Sequence, residues 1–228
     1  MNALSIIVPV YNEKENINNF VNTLENNVIT NHELIIVYDK KNDNTIANVK
    51  KLQKKYKNII LTKNSKKGAK YAFLTGLKKS KFQFILIAFP DELLFLYKID
   101  EMFKKIIRGY DMVSGTRYKN NGNRYGGNLI GKILSKYANF FMHYILKYPL
   151  SDITTGFKMF RKEIFNEINI ENKKIDWSFI VEITIKIIKK NYRICEIPVI
   201  SIDRPFGGIS KGSIFCSFKS YFHSAYKN

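Results

Sequence analysis

Short β-branched runs alternate with stretches of helical apolar spacing through the first half of the chain, and this alternation leaves few folds open. Leu4 to Val10 (LSIIVPV) reads as a strand and Glu13 to Leu24 as the helix that follows it. The unit repeats with Glu33 to Tyr38 and Asp43 to Tyr56, where Asp43 is expected to cap the helix, and again with Asn58 to Leu61 and Lys67 to Ser80. Phe84 to Ala88 (FILIA) is continuously apolar, as the buried centre of a parallel sheet requires, and a helix at Asp100 to Arg108 and a strand at Asp111 to Ser114 complete the series. The fold class is therefore α/β, a mostly parallel central sheet with helices on both faces. In such sheets ligands sit beyond the carboxyl ends of the strands. The polar residues found there are Tyr11-Asn12-Glu13, Asp39, Pro90-Asp91-Glu92 and Arg117.

The second half differs in texture. Asn128 to Tyr148 is expected as one long amphipathic helix, followed by the segment DITTGFKMFR, a helix near Trp177 to Lys190 and a strand at Arg193 to Ser201. With 228 residues, 45% of them hydrophobic, the chain can bury one substantial core, and a single domain is expected. Cys195 and Cys216 lack CxxC spacing, which fits a reducing compartment, and the three histidines lack zinc-ligand spacing. The opening MNALSIIVPVYNE is expected to be a first strand rather than a targeting segment. The best apolar stretch, Phe84 to Leu96, is broken by Pro90, Asp91 and Glu92, so membrane contact is expected to be peripheral.

Charge points to an anionic partner: 38 Lys and Arg stand against 19 Asp and Glu, a formal net of +19. The basic residues are dispersed and no nucleic-acid-binding motif is present, so nucleic acid is not the expected partner. Glu13 and Asp39 follow apolar strands, where a carboxylate can accept hydrogen bonds from ribose or base, although Glu13 and Asp43 are equally placed to cap helices. Asp91 ends the most buried strand and is the candidate ligand for Mg²⁺ or Mn²⁺, which take carboxylate and phosphate oxygens together. The C-terminal GSIFCSFKSYFHSAYKN interleaves aromatic and basic residues near helical spacing. Such a segment suits either the headgroup layer of an anionic membrane or packing on the chain's own core.

The segments IIVPVYNEKENI, ELIIVYDKKNDNT, NSKKGAKYAFLTGL, SGTRY, SDITTGFKMFRKE, WSFIVEI and EIPVISIDRPFGGISK, taken in order, resemble the family 2 glycosyltransferases. The likeness is to their dolichyl-phosphate and polyprenyl-phosphate mannosyl- or glucosyltransferases, and it covers roughly residues 3 to 212. It implies a GT-A, Rossmann-like nucleotide-diphospho-sugar transferase fold. A donor-binding half covers about residues 1–118, an acceptor-side half about 119–212 and an amphipathic segment about 213–228.

The resemblance implies donor contacts from Pro9, Tyr11, Glu13, Asp39, Lys67, Gly68 and Asp91. It implies acceptor-phosphate contacts from Arg117, Ser135, Arg204, Ser210 and Lys211, with Gly207 and Gly208 letting the last loop approach a ligand closely. The family's Asp-x-Asp metal motif is Phe89-Pro90-Asp91 here, so its first carboxylate is a phenyl ring and weak metal dependence is expected. A family Arg four positions before Ser135 is Gly131, with Lys132 or Lys136 as the candidates to stand in. Asp152 has two readings, a general base for a hydroxyl acceptor or an organiser of Arg117 or Lys158, and a phosphate acceptor needs no base. The expected activity is inverting transfer of a hexose from a nucleotide-sugar to a polyprenyl phosphate at the cytoplasmic face of a membrane, with Asp91, Asp152 and Arg117 at the centre. Transfer to a glycan hydroxyl, or a degenerate binding protein without turnover, stand as the alternatives.

Overall fold

The computed structural model describes residues 2–127, 129–171 and 176–202. In chain order the elements are β1 (Leu4–Val10), α1 (Lys14–Asn27), β2 (His32–Tyr38), α2 (Thr45–Lys55), β3 (Ile59–Lys63), α3 (Ala69–Lys79) and β4 (Phe84–Ile87). Then come α4 (Ile99–Ile106), β5 (Met112–Thr116), β6 (Asn123–Tyr125), α5 (Leu129–Phe140), β7 (Lys158–Arg161), α6 (Ser178–Lys189), β8 (Ile194–Pro198) and β9 (Ile200–Ile202). Seven strands form one sheet in the order β3-β2-β1-β4-β7-β5-β8, and β6 pairs with β9 in a separate ribbon. All neighbours in the large sheet run parallel except β7, which is antiparallel to both β4 and β5.

The period-2 alternation of the strands sorts the core into two layers. Leu4, Ile6 and Val8 face one side with Leu34 and Ile36, packed under Phe20 and Leu24 of α1, Val49 of α2 and Met102 of α4. Ile7, Ile35 and Val37 face the other, packed under Phe73 of α3 and Phe179 and Ile183 of α6. Both faces are thus covered, which is why β1, β2 and β4 read as nearly continuous apolar runs.

Three expectations change in detail. The helix expected over residues 128–148 is α-helical only from Leu129 to Phe140, and Phe141–Ile145 widens into a π turn. There Leu146 N donates to Phe141 O and Tyr148 N to Met142 O, and Lys147 at φ +57° ends the run. The strand expected over residues 193–201 divides at Val199: β8 stays beside β5, while β9 leaves the sheet to join β6. Asp43 does more than cap α2. It accepts from Thr45 N at 2.9 Å, and both its oxygens accept from Asn12 N, which stitches the turn after β1 to the turn after β2.

Candidate active site

The ends of β1, β2 and β4 bring the residues expected at a donor site to one edge of the sheet. Pro9 lies in β1 and Tyr11 just beyond it, with Lys40 Nζ 5.7 Å from the centre of the Tyr11 ring. Glu13 begins α1 and its Oε2 accepts from Asn16 Nδ2 at 2.8 Å. Asp39 is engaged by the loop that leads into α3: its Oδ1 accepts from Asn64 Nδ2 at 2.6 Å and its Oδ2 from Gly68 N at 3.1 Å. Gly68 has φ +108° and ψ 161°, a conformation essentially closed to residues with a Cβ, so this loop takes its shape from that glycine and that carboxylate. Lys67 beside it is exposed.

The turn after β4 holds Phe89, Asp91 and Glu92. Asp91 is half-buried, and Glu92 Oε1 accepts from Ser201 Oγ of β9 at 2.7 Å, tying this turn to the β6–β9 ribbon. Phe89 points into packing, edge-on to Trp177 with ring centres 4.8 Å apart. Among the described residues no group of three or more His, Cys, Asp or Glu side chains could hold a metal ion.

In the half expected to face the acceptor, a dense polar network surrounds Asp152, whose side chain is 0% exposed. Arg117 donates to it from Nε (2.7 Å to Oδ2), from Nη2 (3.0 Å to Oδ1) and from its backbone N (3.1 Å to Oδ2). Thr154 Oγ1, Thr155 N and Asn139 Nδ2 complete the set on Oδ1. Six donors on one carboxylate leave it no vacant lone pair for a substrate proton. Burial alone would raise the Asp152 pKa, but the Arg117 charge, its hydrogen bonds and Lys158 outweigh that and hold it below the usual carboxylate range. Burial likewise works against the Arg117 cation, and Asp152 more than restores it.

Ser135 joins the same network through Thr154 Oγ1 at 3.1 Å and Tyr118 OH at 2.9 Å. Lys158, fully buried on β7, donates to Ser114 Oγ at 2.7 Å, and Glu196 of β8 holds the backbone N–H groups of Ser151 and Asp152. Thr154 and Glu196 fall inside the segments SDITTGFKMFRKE and EIPVISIDRPFGGISK, but nothing local marks either as a partner of the Asp152 network, and Asn139 lies outside every such segment. Asn139 could have been found only as the residue four after Ser135, on the same inward face of α5.

Beside Arg117 opens a cavity of about 400 Å³, lined by Arg117, Tyr118, Gly122, Asn123, Arg124, Lys132, Ile133 and Lys136. Four of these eight are cationic, and among the described residues no carboxylate lines the cavity. Lys132 and Lys136 lie along one edge of α5. Next to them Leu129, Ile133, Tyr137, Phe140 and Tyr144 follow the helical repeat as an exposed apolar stripe. Arg204, Ser210, Lys211, Gly207, Gly208 and the segment 213–228 lie outside the described residues.

A dolichol-phosphate mannosyltransferase from Pyrococcus furiosus is 26% identical over 198 residues, covering 86% of this chain and 55% of that protein. A polyprenol monophosphomannose synthase from Mycolicibacterium smegmatis is 24% identical over 216 residues, covering 91% of this chain and 80% of that protein. The chain thus spans about half the length of the Pyrococcus relative. The glucosyl-3-phosphoglycerate synthase of Mycobacterium tuberculosis, solved with Mn²⁺, UDP and glucosyl-3-phosphoglycerate, superposes with a TM-score of 0.74 at 11% identity. That match covers 99% of this chain and 79% of the other, and it establishes the GT-A fold. The family described as Glycosyl transferase family 2 matches residues 5–169, most of the chain, and the protein belongs to that family.

Proposed function

We propose that this protein transfers a hexose, with inversion, from a nucleoside-diphosphate sugar to a polyprenyl or dolichyl phosphate at the cytoplasmic face of a membrane. The observation that carries the acceptor assignment is the cavity lined by Arg117, Arg124, Lys132 and Lys136, with no carboxylate among its described lining, set beside the exposed apolar stripe of α5. A phosphate head on an apolar tail matches both surfaces, and the names of the two lipid-phosphate relatives support the same class. Lys132 and Lys136 supply the charge of the Arg that Gly131 replaces. Ser135 helps to shape the cavity, and Arg204, Ser210 and Lys211 are proposed to complete it.

The chemistry follows from the charge state of the acceptor. A phosphate monoester is already anionic at neutral pH, so its oxygen can bond to the anomeric carbon without a base. The bond from that carbon to the diphosphate oxygen breaks, and its electron pair leaves with the nucleoside diphosphate. Asp152, saturated by six donors, serves in this reading to fix the Arg117 guanidinium rather than to take a proton. Tyr11, Glu13, Asp39, Lys67 and Gly68, with Pro9 behind them, form the donor site. Asp91 would hold Mg²⁺ or Mn²⁺ together with the donor phosphates, and the cation would offset the charge of the leaving diphosphate.

The sheet interleaves strands from both halves of the chain, which supports a single domain over residues 1–228. No helix among the described residues is long and apolar enough to cross a membrane, and peripheral contact through the α5 stripe is proposed.

The deciding experiment offers a panel of GDP- and UDP-sugars with three acceptors: polyprenyl phosphate, the same polyprenol without phosphate, and a glycan. An acid-labile glycosyl-phosphate lipid from the first acceptor alone is expected. Transfer to the glycan hydroxyl instead, abolished by Asp152→Asn, would establish the other acceptor class. Binding of a donor with no transfer to any acceptor would leave a protein without turnover.

A further inference from the structure

Arg117 Nη2 and Asn139 Nδ2 donate to the same two oxygens. The guanidinium nitrogen lies 3.0 Å from Asp152 Oδ1 and 3.0 Å from Thr154 Oγ1, and the amide nitrogen 3.3 Å and 2.8 Å from the same atoms. Asn139 comes from α5 and Arg117 follows β5, so the two segments are fixed to each other across one carboxylate and one hydroxyl. Asn139 is only 2% exposed, and its amide has one orientation. Its Oδ1 accepts from the buried Ile153 N at 2.8 Å, and its Nδ2 also donates to Ser135 O at 2.9 Å. Exchanging the two atoms would set like against like at Ile153 N, Ser135 O and Asp152 Oδ1. Ser135 Oγ, four residues earlier on α5, lies 3.1 Å from Thr154 Oγ1 and strengthens the same clasp.

The same helix delivers Lys132 and Lys136 to the cavity beside Arg117. They precede Asn139 by seven and three residues, which puts both on the side of α5 that carries the amide. Lys132 stands about 10 Å along the helix from Asn139, so a tilt of about 10° there moves it about 2 Å, enough to part an ammonium from a phosphate oxygen. We infer that Asn139 is a positioning residue for the acceptor: it sets α5 against the Arg117–Asp152 pair, so that Lys132, Lys136 and Arg117 converge on one phosphate group. The inference rests on the acceptor reading proposed above. Asn139 does not line the described cavity, and it acts on the phosphate through the side chains that do.

The test is a double-mutant cycle on the full-length chain, with farnesyl phosphate as a short polyprenyl phosphate acceptor and the donor sugar that the wild type turns over. Asn139→Ala is expected to raise KM for farnesyl phosphate roughly tenfold and to leave the donor KM unchanged. In that background Lys136→Ala should raise it by no more than about threefold further, against roughly tenfold in the wild type, because the lysine is already out of place. Ile183→Val, which loosens the core under α6, should leave both KM values as they are. Fully multiplicative effects of Asn139→Ala and Lys136→Ala, or equal rises in the two KM values, overturn the inference. Should the alanine variant fail to fold, Asn139→Asp keeps an acceptor for Ile153 N and carries the same cycle. Hydrogen exchange on the wild type decides independently: farnesyl phosphate should slow the amides of α5 and of residues 151–155 together, and slowing in α5 alone also overturns the inference. Failure of the acceptor reading itself is seen separately, as no transfer to farnesyl phosphate by the wild type or an unchanged KM in Lys136→Ala alone.

Discussion

Arg117 lies side-on against Asp152, Nε donating to Oδ2 at 2.7 Å and Nη2 to Oδ1 at 3.0 Å, with the guanidinium only 11% exposed and the carboxylate wholly buried. Breaking one partner of such a pair leaves the other charged and desolvated. Asp152→Asn is therefore expected to destabilise the protein by about 3–5 kcal/mol in urea unfolding, and to depress transfer by releasing Arg117. The Asp152 carboxylate is held below the usual carboxylate range in the native state, so its contribution is present at neutral pH and lost as pH falls through that lowered value. An Asp152→Asn protein that unfolds like wild type but has lost its activity would mark Asp152 as a base instead.

Lys132 and Lys136 reach the cavity beside Arg117 from successive turns of α5. Each contact from an ammonium to a phosphate oxygen should contribute about 1.5 kcal/mol, so Lys132→Ala and Lys136→Ala are each expected to raise KM for the lipid phosphate roughly tenfold. The donor KM should stay unchanged, as should both constants in Lys104→Ala, an exposed site on α4. Equal effects on donor and acceptor would move the cavity to the donor side.

Gly68 should tolerate no side chain. At φ +108° and ψ 161°, Gly68→Ala is expected to cost about 1–3 kcal/mol. It should also weaken nucleotide binding, because the N–H that meets Asp39 Oδ2 is displaced. Lys67→Ala, with its side chain in solvent, should leave Tm near the wild-type value. Thermal unfolding with and without nucleotide separates the two effects, and a Gly68→Ala protein that matches wild type in both would remove the loop from the donor site.

Burial pushes the Lys158 ammonium down to about 8, against the opposing pull of Asp152 and Glu196. An unfolded lysine keeps its proton to about 10.5, so between these values the unfolded chain binds more protons than the native one. Stability from this residue therefore rises with pH across that window, by at most about 1.4 kcal/mol per unit, and the loss on lowering pH is complete at about 8. Lys158→Met should flatten the slope in urea unfolding between pH 8 and 10.5. Parallel slopes for the two proteins would show that Lys158 titrates normally.

The strands that carry the donor residues were legible because their apolar runs are long and β-branched, as in IIVPV and LIIVY. β7 was not, because KMFR opens on a lysine. Only the tertiary fold shows Ser114 Oγ waiting for that ammonium, so the alternation breaks at the residue that is best buried. The three-residue β9 is likewise too short for any periodic signal. Phe89 was visible as a missing carboxylate, but its partners Gly156 and Trp177 come from distant segments that nothing local connects to it. For Asp152 the residue type fits a base and an organiser equally, and its six hydrogen-bond donors are a property of its surroundings alone.

β7 is bonded along one edge to β4 and along the other to β5, while the donor residues follow β1, β2 and β4 and the acceptor residues flank β5 and β7. In the proposed reaction the two substrates would therefore meet over an unbroken ladder of main-chain hydrogen bonds. Opening the molecule like a clamshell would tear those bonds on both sides of β7. In the proposed reaction, admission of the nucleotide and departure of the product would fall to turns outside the sheet, with no parting of two lobes.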